Sequence, residues 1–79
     1  MIIVYSKDAC TKCKVTKREL LKNSISFKDI NVSHDPNAMS WLLEESKKLD
    51  QSTMPFIYDE EGNFLWSDFR PDLIKALKD

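Results

Sequence analysis

Cys10 and Cys13 are the two cysteines of a 79-residue chain that also carries a single histidine. They stand three residues apart, a spacing that on a helix puts both sulfurs on one face, close enough to close into a disulfide and open again. The apolar run Ile2-Ile3-Val4-Tyr5 precedes them and a helix-like segment follows, so the thiols fall where a strand hands over to a helix. In the first turn of a helix the unpaired backbone N–H groups and the positive end of the macrodipole stabilise an anion, here a thiolate at Cys10. Lys7, Lys12 and Lys14 are expected to add positive potential. The pattern is that of a dithiol redox centre. Cys10, first in the motif and nearest the helix start, is expected to be the more exposed and to attack a substrate disulfide, and Cys13 to resolve the mixed disulfide that results. A four-ligand zinc site would need two further cysteines or histidines where only His34 remains, so no metal is expected.

The elements that must position this pair are legible in the apolar spacing. Ile2 to Tyr5 has the length and continuity of a central strand buried on both faces. From Thr11 to about Ser24 the period is helical, with Cys13, Thr16, Lys17, Leu20 and Leu21 at three- and four-residue intervals, Leu20 in the core, and Asn23-Ser24 as the stop. Ile25 to Val32 reads as a second strand whose alternation breaks between Phe27 and Ile30. Asp35 and Pro36 have the form of an N-cap and first helical residue, opening an amphipathic helix that ends near Leu49. After the polar loop Asp50-Gln51-Ser52-Thr53, Met54-Pro55 introduces a strand from Phe56 to Asp59. Glu60-Glu61-Gly62-Asn63 turns the chain into a strand from Phe64 to Ser67, completing an antiparallel hairpin, and Arg70-Pro71-Asp72 starts a last helix carrying Leu73, Ile74 and Leu77. The order is β-α-β-α-β-β-α. A helix between the first two strands implies parallel pairing, and the fold class is α/β: a four-stranded mixed sheet with three helices on both faces.

Composition bounds the function. The length suits one small domain, residues 1–79, with little apolar surface to spare. A net charge of −1 argues against a nucleic-acid binder, although bases outnumber acids from Lys7 to Lys28 and acids outnumber bases from Asp35 to Glu61. No apolar stretch is long enough to cross a bilayer, and Met1 leads straight into a strand, so a soluble, cytoplasmic monomer is expected. A lone C-x-x-C pair fits a reducing compartment and a transient disulfide.

This element order, with C-x-x-C after the first strand and a proline opening the third, resembles the thioredoxin fold. Cys10-Thr11-Lys12-Cys13 and Thr53-Met54-Pro55 resemble the glutaredoxin branch. The tail Trp66-Ser67-Asp68-Phe69-Arg70-Pro71-Asp72 is similar to the Trp-Ser-Gly-Phe-Arg-Pro-Asp signature of NrdH-type redoxins, and Cys13-Lys14-Val15-Thr16-Lys17-Arg18 follows the helix pattern of that family. The resemblance implies a thiol-disulfide oxidoreductase with no bound cofactor beyond the redox-active disulfide Cys10–Cys13. Its implied electron donor is thioredoxin reductase and its implied acceptor class Ib ribonucleotide reductase. It also implies a cis Met54–Pro55 bond opposite the cysteines, with the Met54 backbone free to pair with an extended substrate. The partner-binding surface would comprise Lys7, Thr11, Lys12, Thr53, Met54, Pro55, Ser67, Asp68, Phe69 and Arg70, with Ser67 and Arg70 bracing the loop by hydrogen bonds. Trp66 and Phe69 read more readily as core than as a docking edge in so short a chain, and Trp41 and His34 as structural.

The chain departs from the family pattern at two places. Asp68 replaces the usual Gly, and Leu49-Asp50-Gln51-Ser52-Thr53 lacks a Gly-aromatic pair before the proline. Three rival readings remain. A glutathione-dependent glutaredoxin would carry a Gly-Gly pair after the fourth strand, where this chain has Ser67-Asp68. A non-enzymatic module could hold a metal or cluster jointly with a partner. An arsenate-reductase relative would need a downstream arginine spacing that is missing here.

Overall fold

The structure, a computed structural model, describes residues 1–78. Its strands are β1 (Ile2–Ser6), β2 (Phe27–Asn31), β3 (Phe56–Tyr58) and β4 (Phe64–Ser67). Its helices are α1 (Thr11–Lys22), α2 (Pro36–Leu49) and α3 (Pro71–Lys78), with a short 3-10 turn at Val32–His34. The sheet order is β2-β1-β3-β4; β1 runs parallel to β2 and antiparallel to β3, and β3 and β4 form the antiparallel hairpin.

Alternation along the strands divides the core in two. Val4, Ile57 and Trp66 point to one face and pack with Leu20 of α1 and Ile74 of α3. Phe56 and Tyr58 point to the other and pack with Val32 and with Leu42 of α2. Tyr5, Trp41 and Tyr58 stack at centroid distances of 5.0 to 5.4 Å on that second side. Sheet and helices thus form three layers, and β1 at the centre delivers the chain to Cys10.

Helix α1 and strands β2 and β3 differ in extent from the sequence reading, each for a local reason. Helix α1 stops at Lys22, because Ser24 turns to φ +57° and the Ile25 N–H returns to the Leu20 carbonyl at 2.9 Å, the closing bond of a Schellman motif. Helix α2 ends at Leu49, as read, and closes the same way: Asp50 is at φ +52° and the Gln51 N–H is bonded to the Ser46 carbonyl. Strand β2 is shorter than Ile25–Val32, because Asn31 caps the 3-10 turn through the Ser33 N–H and Val32 is carried into the core under α2. Strand β3 ends at Tyr58, since the Asp59 carboxylate accepts the N–H groups of Glu61 and Asn63 and ties the Gly62 turn, where φ is +90°. The α2 start is as read: the Asp35 carboxylate accepts the Ala38 N–H at 3.1 Å and Pro36 opens the helix.

Candidate active site

Strand β1 ends at Ser6, and three residues later Ala9, at φ +54°, swings the chain into α1. Cys10 is the N-cap of α1 and its sulfur accepts the Cys13 N–H at 3.1 Å. A sulfur therefore occupies the place where Ser, Thr or Asp would satisfy an orphan amide, so the amides that cap the helix also favour negative charge on that sulfur. Cys10 and Cys13 are joined as a disulfide with their Cα atoms 5.2 Å apart. Cys10 keeps 8% of its surface exposed and Cys13 1%, leaving Cys10 the more approachable sulfur.

The loop carrying Cys10 is fastened at its base. The Asp8 N–H donates to the Ser33 hydroxyl, and the Asp8 carboxylate accepts from Asn31 and meets the His34 ring at 3.0 Å. The Asn31 hydrogen bond, seconded by that of His34, holds the Asp8 carboxyl below the usual carboxylate range. His34 thus has a structural place in this network.

A cleft of about 360 Å³ opens beside the disulfide and is lined by Lys7, Cys10, Thr11, Lys12, Ser52, Thr53 and Met54. Its far wall is the loop before β3, where the Met54–Pro55 bond is cis and Pro55 is buried. The Asp68 N–H holds this wall by donating to both the Thr53 carbonyl at 3.2 Å and the Pro55 carbonyl at 3.0 Å. The Ser67 hydroxyl donates to the Gln51 side-chain carbonyl at 2.8 Å, and the Ser46 hydroxyl to the Gln51 backbone carbonyl.

Asp68 adopts φ +74°, a left-handed conformation natural to Gly, and of the other residues Asp and Asn reach it with least cost. Its carboxylate accepts the Phe69 N–H at 2.6 Å and pairs with Lys12 at 2.9 Å. The bond from Lys12, followed by that from Phe69, holds its carboxyl below the usual range. Lys12 is therefore partly neutralised rather than freely adding positive potential at the thiols, while Lys7 and Lys14 have no ion-pair partner among the described residues. A depressed carboxyl pKa stabilises the fold above the unfolded value near pH 4, and that stabilisation is lost as pH falls through the folded value. Asp68→Asn keeps the backbone compatible and removes the charge. Its melting temperature should lie roughly 1–5 °C below that of the parent from pH 5 to 7, and the gap should close below about pH 4, as thermal melts across pH would read.

The remaining sequence candidates separate. Phe69 packs against the core under α1 and α3, and Trp66 lies within that core. Arg70 pairs with Asp72, at 3.1 and 3.3 Å, so the loop bracing expected of it falls to Ser67 and the Asp68 N–H. Gln51 and Ser52 were absent from the expected site; their only signal was a polar loop just before Met54-Pro55. Among the described residues no group of three His, Cys, Asp or Glu side chains is placed to hold a metal, and no helix is long and apolar enough to cross a membrane.

Known proteins resemble this chain in sequence and fold. The glutaredoxin family model matches residues 2–62. The glutaredoxin-like protein NrdH of Escherichia coli is 32% identical over 76 residues, covering 96% of this chain and 86% of the relative. That of Lactococcus lactis subsp. cremoris is 31% identical over 77 residues, covering 98% and 99%. The solved structure of the Escherichia coli NrdH-redoxin, a glutaredoxin-like protein described as having a thioredoxin-like activity profile, superposes with a TM-score of 0.77 and covers 96% of this chain and 92% of its own. A thioredoxin-like protein at 23% identity and TM-score 0.76 shares the fold. With a cysteine pair at the strand-to-helix junction of a thioredoxin fold, the chain belongs to the glutaredoxin family, in its NrdH-type redoxin branch, and is a thiol-disulfide oxidoreductase that works through Cys10 and Cys13.

Proposed function

We propose that this single redoxin domain is a cytoplasmic electron carrier that takes electrons from thioredoxin reductase and delivers them to a class Ib ribonucleotide reductase. In the delivering half-reaction the Cys10 thiolate attacks one sulfur of the acceptor disulfide, and the displaced sulfur leaves as a thiolate that takes up a proton. Cys13, deprotonated, then attacks Cys10, releasing the second acceptor sulfur and closing the Cys10–Cys13 disulfide. Two electrons pass to the acceptor, which ends as a dithiol. Amides at the start of α1 favour the attacking anion, and Met54, with no backbone hydrogen bond of its own among the described residues, offers its N–H and carbonyl to an extended polypeptide.

The observation that carries the choice of partners is the likeness to NrdH proteins along nearly the whole chain. The Ser67-Asp68 sequence in place of a Gly-Gly pair weighs in the same direction, against a glutathione site. The test compares two coupled assays on a protein disulfide, one with NADPH and thioredoxin reductase, the other with NADPH, glutathione and glutathione reductase. NADPH oxidation should be sustained in the first and at least tenfold slower in the second; turnover with glutathione alone would reverse the assignment.

A further inference from the structure

Three side chains from the end of β2 and the 3-10 turn hold Asp8, two residues before Cys10, and one of them is the single histidine of the chain. The post they form is itself fixed. The Ser33 N–H donates to the Asn31 side-chain oxygen at 2.9 Å, and Val32 between them is buried. Against this post the His34 ring sets Nε2 at 3.1 and 3.0 Å from the two oxygens of the Asp8 carboxylate. With Asp8 held there, Ala9 takes φ +54°, a turn that costs any residue but Gly, and delivers Cys10 to the head of α1. The carboxylate charge therefore has a set place beside the reacting sulfur, and so does the imidazole that faces it.

We propose that His34 is a positioning residue for the thiol chemistry, which, when protonated, offsets the Asp8 charge beside Cys10 and so keeps that sulfur reactive as the pH falls. The proposal rests on Cys10 being the attacking sulfur. Two residues of chain span at most about 7 Å, which is within the Debye length of about 8 Å at physiological ionic strength, so the charges at Asp8 and His34 reach Cys10 largely unscreened. A carboxylate at that range disfavours a second anion, and an imidazolium against it cancels the effect. Asp8 stays ionised where a histidine changes its charge, between about pH 5 and 8, because the Asn31 hydrogen bond, seconded by that of His34, holds its carboxyl below the usual range. The neighbouring charges are those of Lys7 on the loop, Asp29 on β2, which pairs with Lys17, and Asp35 at the start of α2, which accepts the Ala38 N–H. Carboxylates and ammonium groups as classes keep their charge over that range, which leaves the imidazole as the group that changes. Protonated, His34 makes the pair neutral and the Cys10 thiolate is favoured. Deprotonated, it leaves the Asp8 charge uncompensated and the thiol holds its proton more tightly.

Two variants bracket the parent: His34→Gln keeps a hydrogen-bond donor at Asp8 without the charge, and His34→Arg keeps the charge at every pH. The rate at which iodoacetamide alkylates the dithiol form of the full chain, from pH 5 to 8, reads the reactivity of Cys10, since the thiolate displaces iodide to form the new S–C bond, and peptide mapping locates the product. His34→Arg should react about threefold faster than His34→Gln at pH 5, the scale of one partly exposed unit charge at this distance. The parent should keep pace with His34→Arg at pH 5 and with His34→Gln by pH 8. An NMR titration of the one imidazole should place its gain of a proton in the interval where the parent passes from one curve to the other. Equal rates of the two variants at pH 5 would mean that the charge at position 34 does not reach the sulfur, and would overturn the proposal while leaving the roles of Cys10 and Cys13 intact. A parent that follows His34→Gln at every pH, or an imidazole that titrates outside the interval of crossing, would overturn it as well. Alkylation at Cys13 in place of Cys10 would overturn the reading of the attacking sulfur and the proposal with it.

Discussion

Cys10→Ser should lose disulfide reduction by on the order of a thousandfold or more, whereas Cys13→Ser should stop half-way, with substrate covalently attached to Cys10. The two outcomes differ because the two sulfurs are placed differently. Cys10 caps α1, borders the cleft and is the more exposed. Cys13 sits one turn along with 1% of its surface exposed, able to reach Cys10 but poorly placed to meet a substrate first. Removing the first leaves no accessible nucleophile, since a serine hydroxyl at neutral pH is not a thiolate. Removing the second leaves the attack intact and deletes the step that ends it. Intact-mass spectrometry after mixing with a peptide disulfide should show one adduct per Cys13→Ser chain, released by dithiothreitol, and none on Cys10→Ser. Turnover by Cys10→Ser, or an unmodified Cys13→Ser, would refute these roles. Melting curves establish that both variants remain folded during the measurement.

The cysteine pair was legible because its chemistry depends on spacing and on the strand-helix junction, and both are local. The element order was legible for the same reason, since Asp35-Pro36 and Gly62 mark their helix start and turn without help from distant residues. The apparent break of alternation between Phe27 and Ile30 was the contribution of tertiary structure. Phe27 packs under α1 and Val32 under α2, so the two apolar positions belong to opposite faces. Asp29 lies on the α1 side between them, where the Ser6 hydroxyl and Lys17 satisfy its charge at 2.6 and 3.0 Å. No period-two template anticipates a carboxylate at such a place, because its partners are 23 and 12 residues away. Asp68 was visible as a departure, but its positive φ, its pairing with Lys12 and the grip of its N–H on Thr53 and Pro55 follow only from bringing β4 beside the loop before β3. Gln51 carries no local signal of its role for that reason too, and Arg70, which the resemblance places at the loop, is satisfied by a nearer carboxylate, Asp72.

Leu20→Ala should lower the melting temperature by more than about 10 °C, while Leu21→Ala, one position along the same helix, should move it by no more than a few degrees. Sequence composition treats the two leucines alike. The fold does not: Leu20 is 0% exposed, packed with Val4, Ile57, Trp66 and Ile74, whereas Leu21 keeps 68% of its surface in solvent. Truncating a buried leucine forfeits its transfer free energy and leaves a cavity, together about 2–5 kcal/mol, a large share of the stability available to a chain of this size. Truncating the exposed one removes little that was buried. Thermal melts of the two variants side by side make the comparison, and equal shifts would mean that α1 does not pack on the sheet as described. The same pair separates stability from chemistry. Leu20 sits in the third turn of α1, whereas the sulfur acting as its cap is at the first, so the loss falls on the fraction of molecules folded and not on the amides around Cys10. Activity per folded molecule of Leu20→Ala, measured well below its own melting temperature, should therefore match that of the parent.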